Sequence, residues 1–506
     1  MSLNNKPLRL RLINHVYFFF LKPPTKRGGR TASNWYFPRM CRRIGGEMLV
    51  LPTILSKEIK KSIAYVVSGN FLEYFDLMLM THLAFVMTPY FMPKGDPFLE
   101  KVVTMIAFLS SFIIRPVAAI FWGKLGDNFG RVFVLSWTTM IMAFSCLFII
   151  LIPSHEDWGM YSAYCFLFAR ILQGISSSGE GAAAEIFCTE LVKPPTVYRT
   201  CVLLKLASNI AGLAALLLGM FCVSLSENGW KYCFYFGGTI AVCAMNFRRK
   251  LRETKEFLDS HITKQDEGLT KLKEQYLKRN FMCLVGLNIA AAAGFVFGYG
   301  FCTNLLKNLG LSSTKILFNN SCVVVVEIAV IAFFGYLTYY FNPLKILKWR
   351  CILSFLIIPF GFALLYFQMS HYTIFLAQLA ILLPIQGLDP AIPIFIKGFH
   401  PRKRFTNYGV SWALSKAVTY VITGIFATYV ETQFGMLGLL GFLITSSAIF
   451  LYAANSFVSE EMMLGILAAP INTKNKKTFD EVSGLDKKES LIEMNAHYKL
   501  QNWIKD

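Results

Sequence analysis

The stretch GKLGDNFGR, Gly123 to Arg131, sits between two long apolar runs, one ending at Trp122 and the next starting at Val132. Outward from it the chain alternates apolar blocks with short polar connections. Over the 506 residues, 55% are hydrophobic and only 16% charged, an apolar share that soluble domains seldom reach. Blocks of about 20 residues suffice to cross a hydrocarbon layer ~30 Å thick. Twelve of them can be read: 62–90, 102–122, 132–152, 159–187, 201–225, 232–247, 281–306, 316–340, 352–368, 372–396, 409–430 and 435–452. Each is expected to be a helix, because lipid offers no partner to an open backbone group.

The net charge of +20 would suggest nucleic acid in a soluble protein, but its placement excludes that partner. Residues 1–61 hold thirteen Lys/Arg against two acids. The remaining bases fall in alternate connections: Lys124 and Arg131, then Lys193 and Arg199, then 248–279, then Lys345, Lys348 and Arg350, then Lys397 and Arg402 to Arg404. The connections between are neutral or acidic, as in 153–158. This positive-inside pattern puts both termini and the middle loop in the cytoplasm.

The layout divides into a basic extension, 1–61, a six-span bundle, 62–247, a polar middle loop, 248–280, a second six-span bundle, 281–452, and a polar tail, 453–506. The extension has no apolar run long enough to span, and the reading favours Met48 over Met1 as the start of translation. The middle loop is expected to contain an amphipathic helix lying on the membrane face. The twelve cysteines form no CxxC pair and read as small apolar packing residues, giving neither a disulfide framework nor a metal site. No HExxH, Gly-x-Ser-x-Gly or P-loop pattern occurs, so the reading is of a protein that is not an enzyme and carries no cofactor.

Charges inside spans are costly and mark candidate function. Glu73 lies about 11 residues into its span, about 16 Å deep. Asp76, three residues on, shares its helical face. Arg115, Arg170, Gln173 and Glu180 are the polar candidates of the second and fourth spans; Glu327, Asp389 and Lys416 are those of the second half. A carboxylate that exchanges an Arg partner for a proton could couple proton movement to solute movement. Tyr74, Phe75, Trp122 and Trp412 are candidate cavity walls, and an aromatic cage would suit a quaternary ammonium.

Four ordered segments resemble the metabolite:proton symporter family of the major facilitator superfamily, the branch with the bacterial proline/betaine transporters. They are SGNFLEYFD (68–76), FIIRP (112–116) followed by GKLGDNFGR, RILQG (170–174) with SGE (178–180) and TE (189–190), and PRKRFTNYGVS (401–411). The resemblance covers about 57–452 and implies an all-α integral membrane fold, twelve transmembrane helices in two six-helix bundles around a solute site near the bilayer midplane. It implies proton coupling through Glu73, Asp76 and Arg170, and a cytoplasmic gate of Gly123, Asp127, Gly130 and Arg131 against Arg402 and Arg404 at the start of the eleventh span. It also implies a proton symporter in the bacterial inner membrane, acting as a monomer, importing a zwitterion such as proline or glycine betaine. A small carboxylate, held by Arg115, Arg170 or Lys205, is the alternative solute. The sequence departs from the family at Asn128, at Ser178, and in the second-half counterpart of the loop, GYLTYYFNPLK (335–345), where Tyr339 and Tyr340 stand in place of an Asp-Arg pair.

Overall fold

The computed structural model describes residues 56–92, 110–194, 196–226, 228–262, 271–367, 369–385 and 388–464. Most of the extension, the first residues of the second span and most of the tail therefore lie outside the described residues.

Among the described residues the regular structure is helical. In the first half α1 is Lys57–Phe91, α2 Arg115–Asn128, α3 Arg131–Leu151, α4 Met160–Leu191, α5 Thr196–Leu225 and α6 Trp230–Arg248. In the second half α7 is Lys271–Phe295, continued through a π-helical turn, Val296–Phe301, into Cys302–Asn308; α8 is Ser313–Leu337, α9 Pro343–Phe367 and α10 His371–Ile385. The last long helix, Arg404–Leu464, is broken at Gly435, whose φ of 56° is non-helical. Its two parts are α11 (404–434) and α12 (436–464).

Six of these helices are long and apolar enough by length and composition alone to cross a bilayer. Others fall short for a physical reason: α1 and α4 carry the buried charges Glu73, Asp76, Arg170 and Glu180, which lower their hydropathy. The inside-out pattern is clear on the surface. Large apolar side chains such as Phe144, Leu151, Phe221, Leu356, Phe360 and Phe367 are exposed, while Arg115, Arg131, Arg248 and Arg404 are buried. Apolar faces outside and charges inside are what a lipid solvent selects.

Three expectations change in detail. The segment from Gly123 to Asn128 is not a loop; it is the last turns of α2, and only Phe129 and Gly130 turn the chain. Gly130 has φ 103°, a conformation few other residues adopt. Lys345, Lys348 and Arg350, expected in a connection, lie on the first turns of α9, with Arg350 buried. The tenth span is interrupted: residues 388–391 are not helical, and a short helix, Ile392–Lys397, follows. Within the middle loop a short helix runs Lys255–Ile262 and buries Phe257.

Candidate functional site: a charged cavity and its closed end

Between the two bundles lies a cavity of about 150 Å³. Its walls come from α1, α2, α4 and α5 on one side and α7, α8, α11 and the broken tenth span on the other. Six ionisable side chains of opposite sign line it: Arg115, Lys205 and Lys416, and Glu185, Glu327 and Asp389. Arg115 and Lys416 gather around one aromatic ring. The Lys416 ammonium is 4.1 Å from the Trp412 ring centroid, and the Arg115 guanidinium is 5.8 Å from the same ring and 4.4 Å from Phe112. Phe112 in turn stacks on Tyr420 at 3.7 Å between centroids, joining the α2 side to α11. The acids come from α4, α8 and the broken tenth span. Tyr408 of α11 donates its hydroxyl to Glu185 of α4, and Asp389 and Lys205 stand within electrostatic range of that carboxylate. The Asp389 carbonyl receives the buried Arg350 at 2.8 Å. Tyr299, in the π-helical turn of α7, faces Glu327 of α8.

The sequence candidates divide between this cavity and the layer behind it. Arg115, Glu327, Asp389 and Lys416 line the cavity, as do Tyr74 and Trp412. Glu73, Asp76, Arg170, Gln173 and Glu180 do not; they form two buried clusters within the first bundle. In one, Asp76 accepts from the Cys146 thiol at 2.8 Å and from Gln173 at 3.0 Å, while Arg170 donates to Gln173 at 2.9 Å and to Ser111 at 3.1 Å. In the other, Glu180 pairs with Arg248 of α6 and accepts from Thr139 at 3.3 Å. Glu73 lies on this side, buried, with one carboxylate oxygen unpartnered. The two acids of α1 thus reach different partners despite their spacing. Phe75 and Trp122 pack in the core, Trp122 donating to the Ile175 carbonyl at 2.8 Å.

Glu185, Tyr408 and Tyr420 were not among the candidates read from the sequence. The signal for Glu185 was present: an acid in the small-residue run GAAAEIF, within a helix, has nowhere apolar to belong. The interruption at Asp389 was also signalled, by Gly387 and Pro390 beside it.

At the end carrying the 123–131 segment the two bundles are tied together. The Asp127 carboxylate accepts from the Phe405 and Thr406 amides at 2.9 and 3.0 Å and from the Thr406 hydroxyl at 2.7 Å. It caps the first turn of α11, where amide donors and the helix dipole favour an anion. Gly123 lets α2 approach this closely: a Cβ there would stand 2.7 Å from the Thr406 Cα. Arg131 grips Glu190 with two nitrogens, at 2.8 and 3.1 Å, and also donates to the Gly126 and Pro401 carbonyls at 2.9 and 3.0 Å. Arg404 bridges Glu190 at 2.7 Å and Glu256 at 2.9 Å. The carboxylate of Glu190, with its side chain fully buried, thus joins one arginine from each bundle. Arg402 turns away, donating to the Ser260 carbonyl at 2.9 Å. Glu253, in the middle loop, accepts from the Val132 amide at 3.0 Å, and a Cβ on Gly130 would collide with its carboxylate. Burial pushes the Glu253 carboxyl above the usual carboxylate range, against the hydrogen bonds from Val132 and Thr254.

The sequence pattern of the Major Facilitator Superfamily matches residues 66–396. The proline/betaine transporter of Escherichia coli (strain K12) is 28% identical over 221 residues, 42% of this chain and 43% of that protein. A Staphylococcus aureus (strain COL) protein carrying a provisional proline/betaine transporter name is 27% identical over 292 residues, 55% of this chain and 62% of that protein. The chain therefore matches less than two thirds of the length of these relatives. Among solved structures, the proton:xylose symporter XylE superposes with a TM-score of 0.66 at 13% identity, covering 78% of this chain and 94% of XylE. The E. coli fucose:proton symporter FucP gives 0.59 at 13% identity, over 79% of this chain and 99% of FucP.

Proposed function

This chain belongs to the Major Facilitator Superfamily, and from that premise we propose that it is a proton-coupled symporter importing a small zwitterion, such as proline or glycine betaine, by alternating access. The fold is the twelve-helix, two-bundle fold of the superfamily, and the protein is a multi-pass membrane protein. The names of the curated relatives favour this class of solute.

The observation that carries the reading is the cavity between the bundles, lined by three acids and three bases. A cavity for a di- or tricarboxylate would carry an excess of positive charge. This one is balanced and has a basic pole around Trp412 and an acidic pole around Glu185, a match to a solute that is neutral overall but charged at both ends. The discontinuity of the tenth span at Asp389 supports the same site, since broken helices are where such carriers bind solute.

In this reading Glu73, Asp76 and Arg170 carry the proton coupling. They lie behind the cavity wall, so they act on the wall through α1 and α4 rather than by touching solute. Asp76 and Arg170 share one polar partner, Gln173, so a proton arriving on Asp76 would release the hydrogen bond that relays between them. The closed end, with Gly123, Asp127, Gly130 and Arg131 against α11, is the cytoplasmic gate. The protein sits in the bacterial inner membrane with both termini in the cytoplasm.

Uptake of labelled glycine betaine and α-ketoglutarate into vesicles, with and without an imposed proton gradient, tests this directly. Betaine should accumulate only with the gradient, and α-ketoglutarate should not. Accumulation of α-ketoglutarate instead would establish the carboxylate alternative. Asp76→Asn should abolish accumulation against a gradient while the protein remains in the membrane; normal concentrative uptake by that variant would remove Asp76 from the proton path.

A further inference from the structure

The acidic pole of the cavity contains a residue that neither the sequence motifs nor the proton-coupling cluster includes. Glu185 lies on α4 between Ala184 and Ile186, half-buried, on the cavity wall. Its carboxylate has one fixed partner, the hydroxyl of Tyr408 from α11. The other charges in range are Asp389, Lys205 and Lys416. Of the three acids on the wall, Asp389 is buried and has two bases, Arg350 and Lys205, near its carboxylate. Glu327 is buried against Tyr299. Glu185 is the acid that combines cavity exposure with an immobile donor holding it in place. The basic pole made by Arg115, Trp412 and Lys416 lines the same cavity about one turn along the α4–α11 seam, where Gly181 abuts Trp412.

We propose that Glu185 binds the cationic group of the solute and is the residue that makes the cavity prefer a zwitterion over an acid of the same shape. This rests on the zwitterion reading above and adds to it the residue that enforces it. A carboxylate in a cavity of low dielectric attracts a cation strongly. Lys205 supplies the counter-charge while the cavity is empty, and the solute's cation takes over that role when bound. Tyr408 is a positioning residue: it orients the carboxylate, and because it comes from the opposite bundle, the solute's cation is gripped by a group that both halves hold. The requirement is electrostatic, so removing the charge while keeping the shape should remove the preference and leave the anion contacts intact.

The test compares glycine betaine with 3,3-dimethylbutyrate, its isostere with carbon in place of the ammonium nitrogen, and includes proline. Binding to purified full-length protein in lipid nanodiscs is measured by calorimetry for wild type, Glu185→Gln, Glu185→Asp and Tyr408→Phe, each first checked for monodispersity and thermal unfolding. Wild type should bind betaine or proline more tightly than dimethylbutyrate. Glu185→Gln should weaken zwitterion binding roughly 10- to 100-fold, the value of one charge-assisted contact, and leave dimethylbutyrate binding within about threefold. Glu185→Asp should restore part of the preference, which a residue serving only to fill space would not do. Tyr408→Phe should shift zwitterion affinity while keeping the preference. A preference that survives Glu185→Gln overturns this inference alone. If wild type binds neither zwitterion, or binds dimethylbutyrate as tightly, the zwitterion reading falls and this inference with it.

Discussion

Two segments occupy corresponding places in the two halves of the molecule, and they tie the bundles together with different chemistry. In the first half, the turn after α2 delivers Asp127 to the amides at the start of α11 and Arg131 to Glu190. In the second half, the turn after α8 delivers Tyr339 to Arg199 in the first turn of α5, with the guanidinium 4.3 Å from the ring centroid. Tyr336 and Tyr340 share a hydrogen bond of 2.9 Å beside it. Each segment meets the fifth helix of the opposite half. The first junction is made of buried ions and backbone donors; the second is a cation over an aromatic face. Fully buried ions that lose a partner leave an uncompensated charge. Arg199 is also buried, but its ring partner Tyr339 is partly exposed, and a cation–π contact is worth less than a buried ion pair with its hydrogen bonds. The comparison therefore teaches that the first segment resists opening and the second yields, so the halves should part first at the α8–α9 side.

The largest effect belongs to Arg131. Arg131→Ala leaves the buried Glu190 with Arg404 and without its two-nitrogen partner, a loss on the order of 3–5 kcal/mol. Vesicle uptake should show a maximal rate reduced by about tenfold or more with little change in apparent solute affinity. An unchanged maximal rate would take Arg131 out of the gate. Asp127→Asn comes next. The amide oxygen still accepts one hydrogen bond, but the charge at the start of α11 is removed, a cost of about 1–2 kcal/mol, read as a lower unfolding temperature of the purified protein. If Asn is tolerated without any shift, the dipole contribution is wrong.

Arg199→Leu should cost less, about 0.5–2 kcal/mol, and should speed opening rather than stop transport. If it proves as damaging as Arg131→Ala, the contrast between the two segments is wrong. The smallest effect is expected at Glu253. Its carboxyl is held above its ordinary range by burial, so ionisation opposes the folded state at neutral pH. Glu253→Gln should leave stability unchanged or slightly raised near neutrality. That advantage should fade as pH falls through the usual carboxylate range, where the wild-type group is protonated in both folded and unfolded chains. Thermal unfolding across pH measures it, and a marked loss of stability would show that the charge itself is needed.

Much of this was legible in the chain. Spans such as α3 and α6 are found within a residue or two of where hydropathy puts them, because their ends coincide with changes from apolar to polar sequence. That Asp127 and Arg131 would be singled out was legible because they are charged groups at fixed spacing in a short apolar-flanked segment, and both make contacts with the second bundle. The helical state of Gly123–Asn128 was not, since glycines and an acid argue against helix when local propensity is all one has. Here the close approach of α11 and the cap it receives from Asp127 override that propensity. The buried charges were visible one by one, but not their grouping. Glu73 and Asp76 are three positions apart, and only the packing of α3, α4 and α6 around α1 sends them to different partners. Glu185 went unnoticed because its meaning depends on Tyr408, 223 positions away in sequence.

The most direct test of the account is the distance across the first segment during turnover. Spin labels at the exposed positions Lys124 and Lys403 flank the Asp127–α11 junction, and labels at Lys193 and Lys345 flank the Arg199–Tyr339 pair. Pulsed electron–electron resonance in vesicles should give one short distance for each pair at rest. Adding glycine betaine with a proton gradient should populate a longer distance for both pairs, and Arg131→Ala should raise the long population at 124/403 even without solute. Short distances that stay fixed under every condition, in a protein that still transports, would contradict a carrier that works by rocking its two bundles apart at this end.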